Sequence, residues 1–72
     1  MTSDTGAKAE TDPMTGGDLR MLRLSRRVAS TALARHFGAT RTRIAHLETQ
    51  ARPTRRAVER YLVALEAASA ER

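Results

Sequence analysis

Apolar residues recur at helical spacing in four short segments, and this pattern is the strongest constraint on the fold. In the last segment, Val58, Tyr61, Leu62 and Leu65 form a stripe about as wide as one face of a helix. No segment alternates between apolar and polar residues with period two, which is the pattern of a half-buried strand. The sequence therefore predicts an all-α fold.

Residues that start and stop helices divide this pattern into four predicted helices, over 18–27, from 29 or 30 to 37, over 41–49 and over 55–68. Gly38 ends the second, because glycine enters the left-handed region without the Cβ penalty. Thr40 and Thr54 are expected to cap the third and fourth through their hydroxyl groups, and Ser30 is the better chemical cap for the second. A fifth helix would form only if residues 66–72 turned away from the fourth.

Charge divides the 72-residue chain, whose net charge is +5, into two unequal parts. Residues 1–16 carry a net charge of −2, lack apolar periodicity and are rich in Thr, Gly and Asp, so we predict a disordered tail. Residues 17–72 carry twelve arginines against five acidic residues, a net charge of +7, and form the predicted domain. A small basic domain points first to nucleic acid and second to an acidic protein surface.

Length and composition argue against several functional classes. Seventy-two residues form one small domain with little room for an enzyme cleft, and no nucleophile–base pair accompanies Glu48, so we expect no enzyme. The chain has no cysteine, and His36 and His46 lie on different predicted helices, so no metal or other cofactor is expected. No apolar run approaches 18 residues and no signal segment is visible, so we expect a cytoplasmic protein without membrane contact.

The segment around Gly38 carries the most informative spacing. It describes two short helices joined by a three-residue turn, with small or apolar residues at Leu33, Ala34, Phe37, Gly38, Ile44 and Leu47. Ala34 is small where the helices would cross, and Ile44 and Leu47 would reach back to the preceding helix. These are the requirements of a helix-turn-helix, whose second helix can enter a DNA major groove.

Residues 19–66 resemble the Cro/repressor-type (XRE-type) helix-turn-helix domains. The resemblance is carried by Leu22, Arg23, Leu33, Ala34, Gly38, Ile44 and Glu48, and by Arg52-Pro53-Thr54 before a Tyr-Leu-x-x-Leu helix. It implies a compact lambda-repressor-like fold of four or five helices and a sequence-specific, double-stranded DNA-binding transcriptional regulator. The chain departs from the family pattern in having Arg27 and Gln50 for Gly, Ala29 for a hydroxyl cap, Ser30 for Gln and Ala39 for Val.

The resemblance also implies roles for individual residues, with helix 41–49 lying in the major groove. The positions that match base-reading residues are Thr40, Arg41, Thr42, Ala45 and His46. Arg41 is the sharpest candidate, because its planar guanidinium can bond both acceptors of one guanine. Phosphate contacts are expected from Ser30, Arg43, Thr49 and Arg52. Arg23 and Glu48 would form a buried structural ion pair between the first and third helices.

Several of these residues have alternative interpretations. Arg43 and His46 are also compatible with a solvated helix face, which is the favoured interpretation for the arginines of helix 55–68. Met21 and Leu24 lie off the main apolar face of the first helix, so they either pack under the fourth helix or form a subunit contact.

The partners expected from the resemblance are double-stranded DNA and a second copy of the chain, since a palindromic operator needs two. The simplest function is a small repressor, bacterial or phage-encoded and nucleoid-associated when bound. The alternative is an antitoxin or protein-interaction adaptor of helix-turn-helix type that binds a toxin or co-regulator. The acidic tail favours this alternative, because such a tail can fold onto a partner.

Overall fold

The computed structural model describes residues 11–71. This part of the chain forms four helices: α1 (Gly16–Ser25), α2 (Ser30–Phe37), α3 (Arg41–Glu48) and α4 (Arg55–Ala70). The prediction of an all-α fold is confirmed. Helices α1 and α2 each pack against both α3 and α4. Because α4 runs unbroken to Ala70, residues 11–71 contain no separate fifth helix.

The core is one cluster to which every helix contributes. Its largest fully buried side chains are Tyr61, Leu19, Leu33, Ile44, Leu65 and Val58. The predicted apolar stripe of the fourth helix is therefore confirmed at Val58, Tyr61 and Leu65, while Leu62 is only partly buried. Helices of eight residues are unstable in isolation, so α2 and α3 depend on this shared packing.

Local sequence signals account for most of the helix ends. The hydroxyls of Thr40 and Thr54 accept hydrogen bonds of 3.1 Å from the amides three residues later, as predicted. Gly38 ends α2 with φ of 80°, in the left-handed region. At the start of α2 the cap position is occupied by Ala29, which makes no side-chain cap, and Ser30 is already the first helical residue. The hydroxyl that is chemically suited to capping therefore does not cap α2.

Helix α1 begins and ends two residues earlier than predicted, and its end is strained. Arg27 has φ of 57°, in the left-handed region. Its amide donates to the carbonyl of Leu24, and the amide of Val28 donates to that of Arg23, which is the Schellman pattern. A side chain in this conformation costs about 1–2 kcal/mol. Arg27 thus occupies a position that favours glycine, the residue that the family resemblance leads one to expect there.

The segment before α1 is attached to the helical domain. Thr11 forms an isolated antiparallel bridge with Thr54, and the amide of Asp12 donates to the carbonyl of Pro53 at 3.0 Å. Residues 11–16 of the predicted disordered tail thus contact the helical domain, whereas residues 1–10 lie outside the described part of the chain. The contacts that hold this segment come from about forty residues further along, so local composition could not reveal them.

The first turn of α1 is fixed by a close approach to the end of α3. Thr15 and Asp18 form a reciprocal capping box. The amide of Gly16 donates to the carbonyl of Gln50 at 2.7 Å. A Cβ on Gly16 would lie 2.7 Å from the carbonyl carbon of Glu48 and still closer to the carbonyl oxygen of Leu47. Only glycine fits here, because the neighbouring atoms are backbone that cannot move aside independently.

Replacing Gly16 should therefore destabilise the fold, while replacing its neighbour should not. We expect Gly16→Ala to lower the free energy of unfolding by about 1–3 kcal/mol, the usual cost of overpacking. The matched control is Gly17→Ala, since a Cβ there meets nothing nearer than 3.6 Å among the described residues. This control should be neutral or stabilising by up to about 1 kcal/mol. Urea unfolding followed by circular dichroism measures both; equal effects would contradict the close approach.

Candidate nucleic-acid interface

Helix α3 divides its side chains cleanly between core and solvent. Ile44, Leu47 and Glu48 are buried. The exposed residues on and beside the helix are Thr40, Arg41, Thr42, Arg43, Ala45, His46 and Thr49, none of them acidic. We call these seven residues the α3 face. All five candidate base-reading residues lie in it, within two turns, and Thr42 stands one turn from both Ala45 and His46.

The hydroxyl groups of the α3 face differ in whether their proton is free to donate to a ligand. The oxygen of Thr40 accepts the amide of Arg43, which leaves its proton free to donate. The hydroxyl of Thr49 donates to the carbonyl of His46 at 2.7 Å. Thr49 would have to break this bond to donate to a phosphate. Of the two predicted phosphate contacts outside the α3 face, Arg52 is exposed in the loop after α3, whereas Ser30 is half-buried.

The two charged residues to which the resemblance gives a structural role meet inside the domain. The Nε and Nη2 atoms of Arg23 donate to the two oxygens of Glu48 at 2.8 and 3.2 Å. The remaining nitrogen, Nη1, donates to the carbonyl of Val28 at 3.0 Å. Both residues are only 8% exposed. The hydrogen bonds to Glu48 raise the pKa of Arg23 above its ordinary value, so the guanidinium remains charged.

A third residue, Tyr61 of α4, completes this cluster and was missed by the sequence interpretation. Its hydroxyl lies 2.5 Å from Oε2 of Glu48 and 3.2 Å from the carbonyl of Leu19. A phenol has one proton, and the shorter contact to the charged carboxylate takes it. The signal available in the sequence was a Tyr within an otherwise aliphatic stripe, since a buried phenol usually requires a polar partner.

The cluster of Arg23, Glu48 and Tyr61 joins three helices at the last turn of α3. Burial raises the pKa of Tyr61, and the hydrogen bond with Glu48 raises it further. Because Glu48 ends α3, its contacts with α1 and α4 fix the position of that helix end. The α3 face therefore rests on a helix whose buried side is held by an ion pair and a tyrosine hydrogen bond as well as by the apolar core.

The first turns of α3 and α4 contain positive charge where helices favour negative charge. Arg41 and Arg43 lie in the first turn of α3, Arg55 and Arg56 begin α4, and neither turn contains an acidic residue. A helix N-terminus has a partial positive charge, so each unfavourable placement costs up to about 1 kcal/mol. A bound polyanion would remove this cost. The arrangement thus opposes folding stability and favours anion binding.

The structure bears on the expectations for Met21, Leu24 and Arg60, all outside α3. Met21 and Leu24 are 69% and 48% exposed, so of their two alternatives the packing under the fourth helix is wrong and the subunit contact stays a prediction. Val63 on α4 is 70% exposed. Arg60, which was expected on a solvated face, lies over the ring of Phe37 at 4.6 Å and donates to the carbonyl of Phe37 at 3.2 Å. Arg60 therefore closes the C-terminal end of α2 against α4.

No protein-family model, curated protein or solved structure matches this chain. Among residues 11–71, no three His, Asp or Glu side chains are grouped closely enough to hold a metal ion. None of the helices formed by these residues combines the length and apolar character needed to cross a membrane.

The buried cluster predicts a large difference between two glutamates. We expect Glu48→Ala to lower the free energy of unfolding by about 3–5 kcal/mol, because it leaves the Arg23 guanidinium buried without its counter-charge. Tyr61→Phe removes one hydrogen bond to a charged group and should cost about 1.5–3 kcal/mol. The control, Glu59→Ala, changes an exposed residue of α4 and should stay within about 0.5 kcal/mol. Urea unfolding curves in which Glu48→Ala matches the control would contradict the cluster.

The raised pKa of Tyr61 predicts a loss of stability in alkali. In the unfolded chain Tyr61 ionises near its ordinary pKa of about 10, whereas in the folded chain it remains protonated. Its contribution to stability is therefore present below about pH 10 and is lost as the pH rises further. Tyr61 is the single tyrosine and there is no tryptophan, so tyrosinate absorbance reports it alone.

We expect this absorbance to appear together with loss of the helical circular dichroism signal. The urea-unfolded chain serves as the control and should titrate near pH 10. Ionisation near that pH with the helices intact would show that the phenol is not held by the carboxylate.

Proposed function

We propose that this protein is a sequence-specific, double-stranded DNA-binding transcriptional regulator of the Cro/repressor helix-turn-helix type. The observation that carries the proposal is the α3 face, which presents two arginines, a histidine, three threonines and an alanine without any carboxylate. The simplest mode of action is repression by occupying a promoter. The lambda-repressor-like arrangement of the four helices is part of the same proposal.

The dimensions of α3 suit a major groove. A helix with its side chains is about 10–12 Å across, which fits the width of about 12 Å of the major groove of B-DNA. The three residues 38–40 that join α2 to α3 match the short turn of a helix-turn-helix. Arg41, as the first residue of α3, has the fork geometry to bond guanine O6 and N7. Thr42 and His46 add hydrogen-bonding groups, and Ala45 can contact a thymine methyl.

The surrounding charge favours a polyanionic partner. From the start of α3 to the first turn of α4, residues 41–56 contain five arginines and a single acidic residue, Glu48, which is paired with Arg23. Arg52 and Arg43 would contact phosphates on either side of the groove. If about four phosphates were neutralised per subunit, the logarithm of affinity would fall with the logarithm of salt concentration with a slope near −3.6.

The exposed apolar side chains favour a protein contact in addition. Met21, Leu24 and Val63 are large, apolar and exposed. A homodimer would place two copies of α3 on the two halves of a palindromic operator. The second candidate function, an antitoxin or adaptor that binds a partner protein, would use the same side chains. Light scattering of the purified chain separates these cases, since a homodimer doubles the mass without any partner.

Selection of random duplexes on the purified protein tests the proposed function. We expect an enriched site with two symmetric halves separated by about one helical turn, 10 bp or so. Arg41→Ala should then weaken binding to that site by about 1–3 kcal/mol, roughly 5- to 150-fold, and random duplex far less. The control, Arg20→Ala, removes the same charge from the exposed side of α1. Equal losses on both duplexes would show that Arg41 contacts the backbone alone; no enriched site would overturn the proposal.

A further inference from the structure

A cavity of about 240 Å³ lies between α3, the first turn of α4 and the end of α2. Its polar lining comprises Arg43, His46, Gln50, Thr54 and Arg60, and Phe37 contributes to its apolar wall. Three of these side chains are basic, and no carboxylate lines the cavity. This composition is that of an anion site.

Two of the basic side chains have no competing partner. Within residues 11–71, neither the guanidinium of Arg43 nor the imidazole of His46 makes a hydrogen bond or an ion pair. The hydroxyl oxygen of Thr54 accepts the amide of Ala57, so its proton is free to donate. These hydrogen-bond donors therefore remain available to a ligand in the cavity.

The third basic side chain, Arg60, is held in place by Phe37. The guanidinium of Arg60 lies over the Phe37 ring at 4.6 Å and uses one N–H on the Phe37 carbonyl. A guanidinium has five N–H donors, so most of them are left for a ligand. Because the side chain is held by the ring, less conformational entropy is lost when it binds.

The N-terminus of α4, which adjoins the cavity, also favours the binding of an anion. Thr54 caps the N-terminus of α4, a helix of 16 residues, and the positive end of that helix dipole favours a negative charge. The first turn contains Arg55 and Arg56 and no acidic residue that could supply this charge from within. The cavity therefore joins a helix N-terminus to three basic side chains.

We propose that this cavity binds a phosphate group. Its volume is below the range of about 300–1,000 Å³ typical of drug-sized ligands, yet several times the roughly 30 Å³ share of one water. The group has two sources, the backbone of a DNA duplex or a free phosphate compound. For the duplex source the inference rests on the proposed function, whereas for the free anion it stands by itself.

The cavity overlaps the α3 face, so a free phosphate and the phosphates of a DNA duplex would use the same side chains. Arg43 and His46 belong both to the cavity and to the α3 face. A free anion bound there would neutralise charge on the helix that is proposed to enter the groove. Free phosphate and duplex DNA therefore compete for this site.

The first arm of the test uses inorganic phosphate on the full chain. Titration is followed by the backbone amide signals of residues 43–50 and 54–57, with sodium chloride at matched ionic strength as the blank. We expect saturable shifts confined to these amides. Arg43→Gln should weaken this binding about tenfold, the effect of losing a hydrogen bond to a charged group. Arg20→Gln, an equal charge change on α1, should leave it unchanged.

The second arm measures affinity for the selected duplex across salt concentrations. Arg43→Gln should lower the salt slope by about 0.9, the loss of one phosphate contact, and Arg20→Gln should not. Circular dichroism verifies that both exposed substitutions leave the fold intact, and His46→Gln provides a second variant in the cavity.

The outcomes distinguish this inference from the proposed function. If the protein binds phosphate in a manner that requires Arg43 but selects no DNA duplex, the result supports the phosphate site and overturns the proposed function. A salt slope that falls by about 0.9 in Arg43→Gln, without free-phosphate binding, supports the cavity with the duplex as its source. Phosphate shifts that are absent or insensitive to Arg43→Gln, together with an unchanged salt slope, overturn the inference.

Discussion

Glu48 accepts hydrogen bonds from Arg23 of α1 and Tyr61 of α4 at the last turn of α3, and the rest of the domain depends on this arrangement. A carboxylate and a guanidinium that are both 8% exposed tolerate burial only when their polar atoms are paired. Three elements far apart in sequence must therefore arrive together, which fixes where α3 ends. The close approach of Gly16 to the backbone of Leu47 and Glu48 further fixes the end of α3.

Stability and function place opposite demands on this small domain. The buried side of α3 is fully paired and packed, whereas its exposed side concentrates positive charge near a helix N-terminus, where it is unfavourable. The same unfavourable charge recurs at the start of α4. Both sites adjoin the cavity between the two helices, so an anionic partner would offset the cost at both. The proposed DNA-binding surface and the proposed phosphate site follow from one distribution of charge.

Much of the fold could be predicted because the signals for it are local. The starts of α3 and α4 follow from Thr40 and Thr54, and the end of α2 follows from Gly38, since each acts on backbone groups within a few residues. The exposure of Thr42 and His46 follows from the spacing of Ile44 and Leu47 on the opposite side of the helix. The segment before α1 could not be predicted, because the carbonyls of Gln50 and Pro53 that hold it are distant in sequence.

By itself the sequence determined the all-α class, the main helix ends and the basic exposed side of α3, because helical periodicity, capping and charge are properties of neighbouring residues. Only the tertiary structure decided that Tyr61 shares the carboxylate of Glu48, that Gly16 has no room for a Cβ, and that Arg60 stacks on Phe37 beside Arg43. Each of these depends on the distance between helices, which arises only when the apolar faces pack into one core. The same packing created the cavity, whose three basic residues come from two helices.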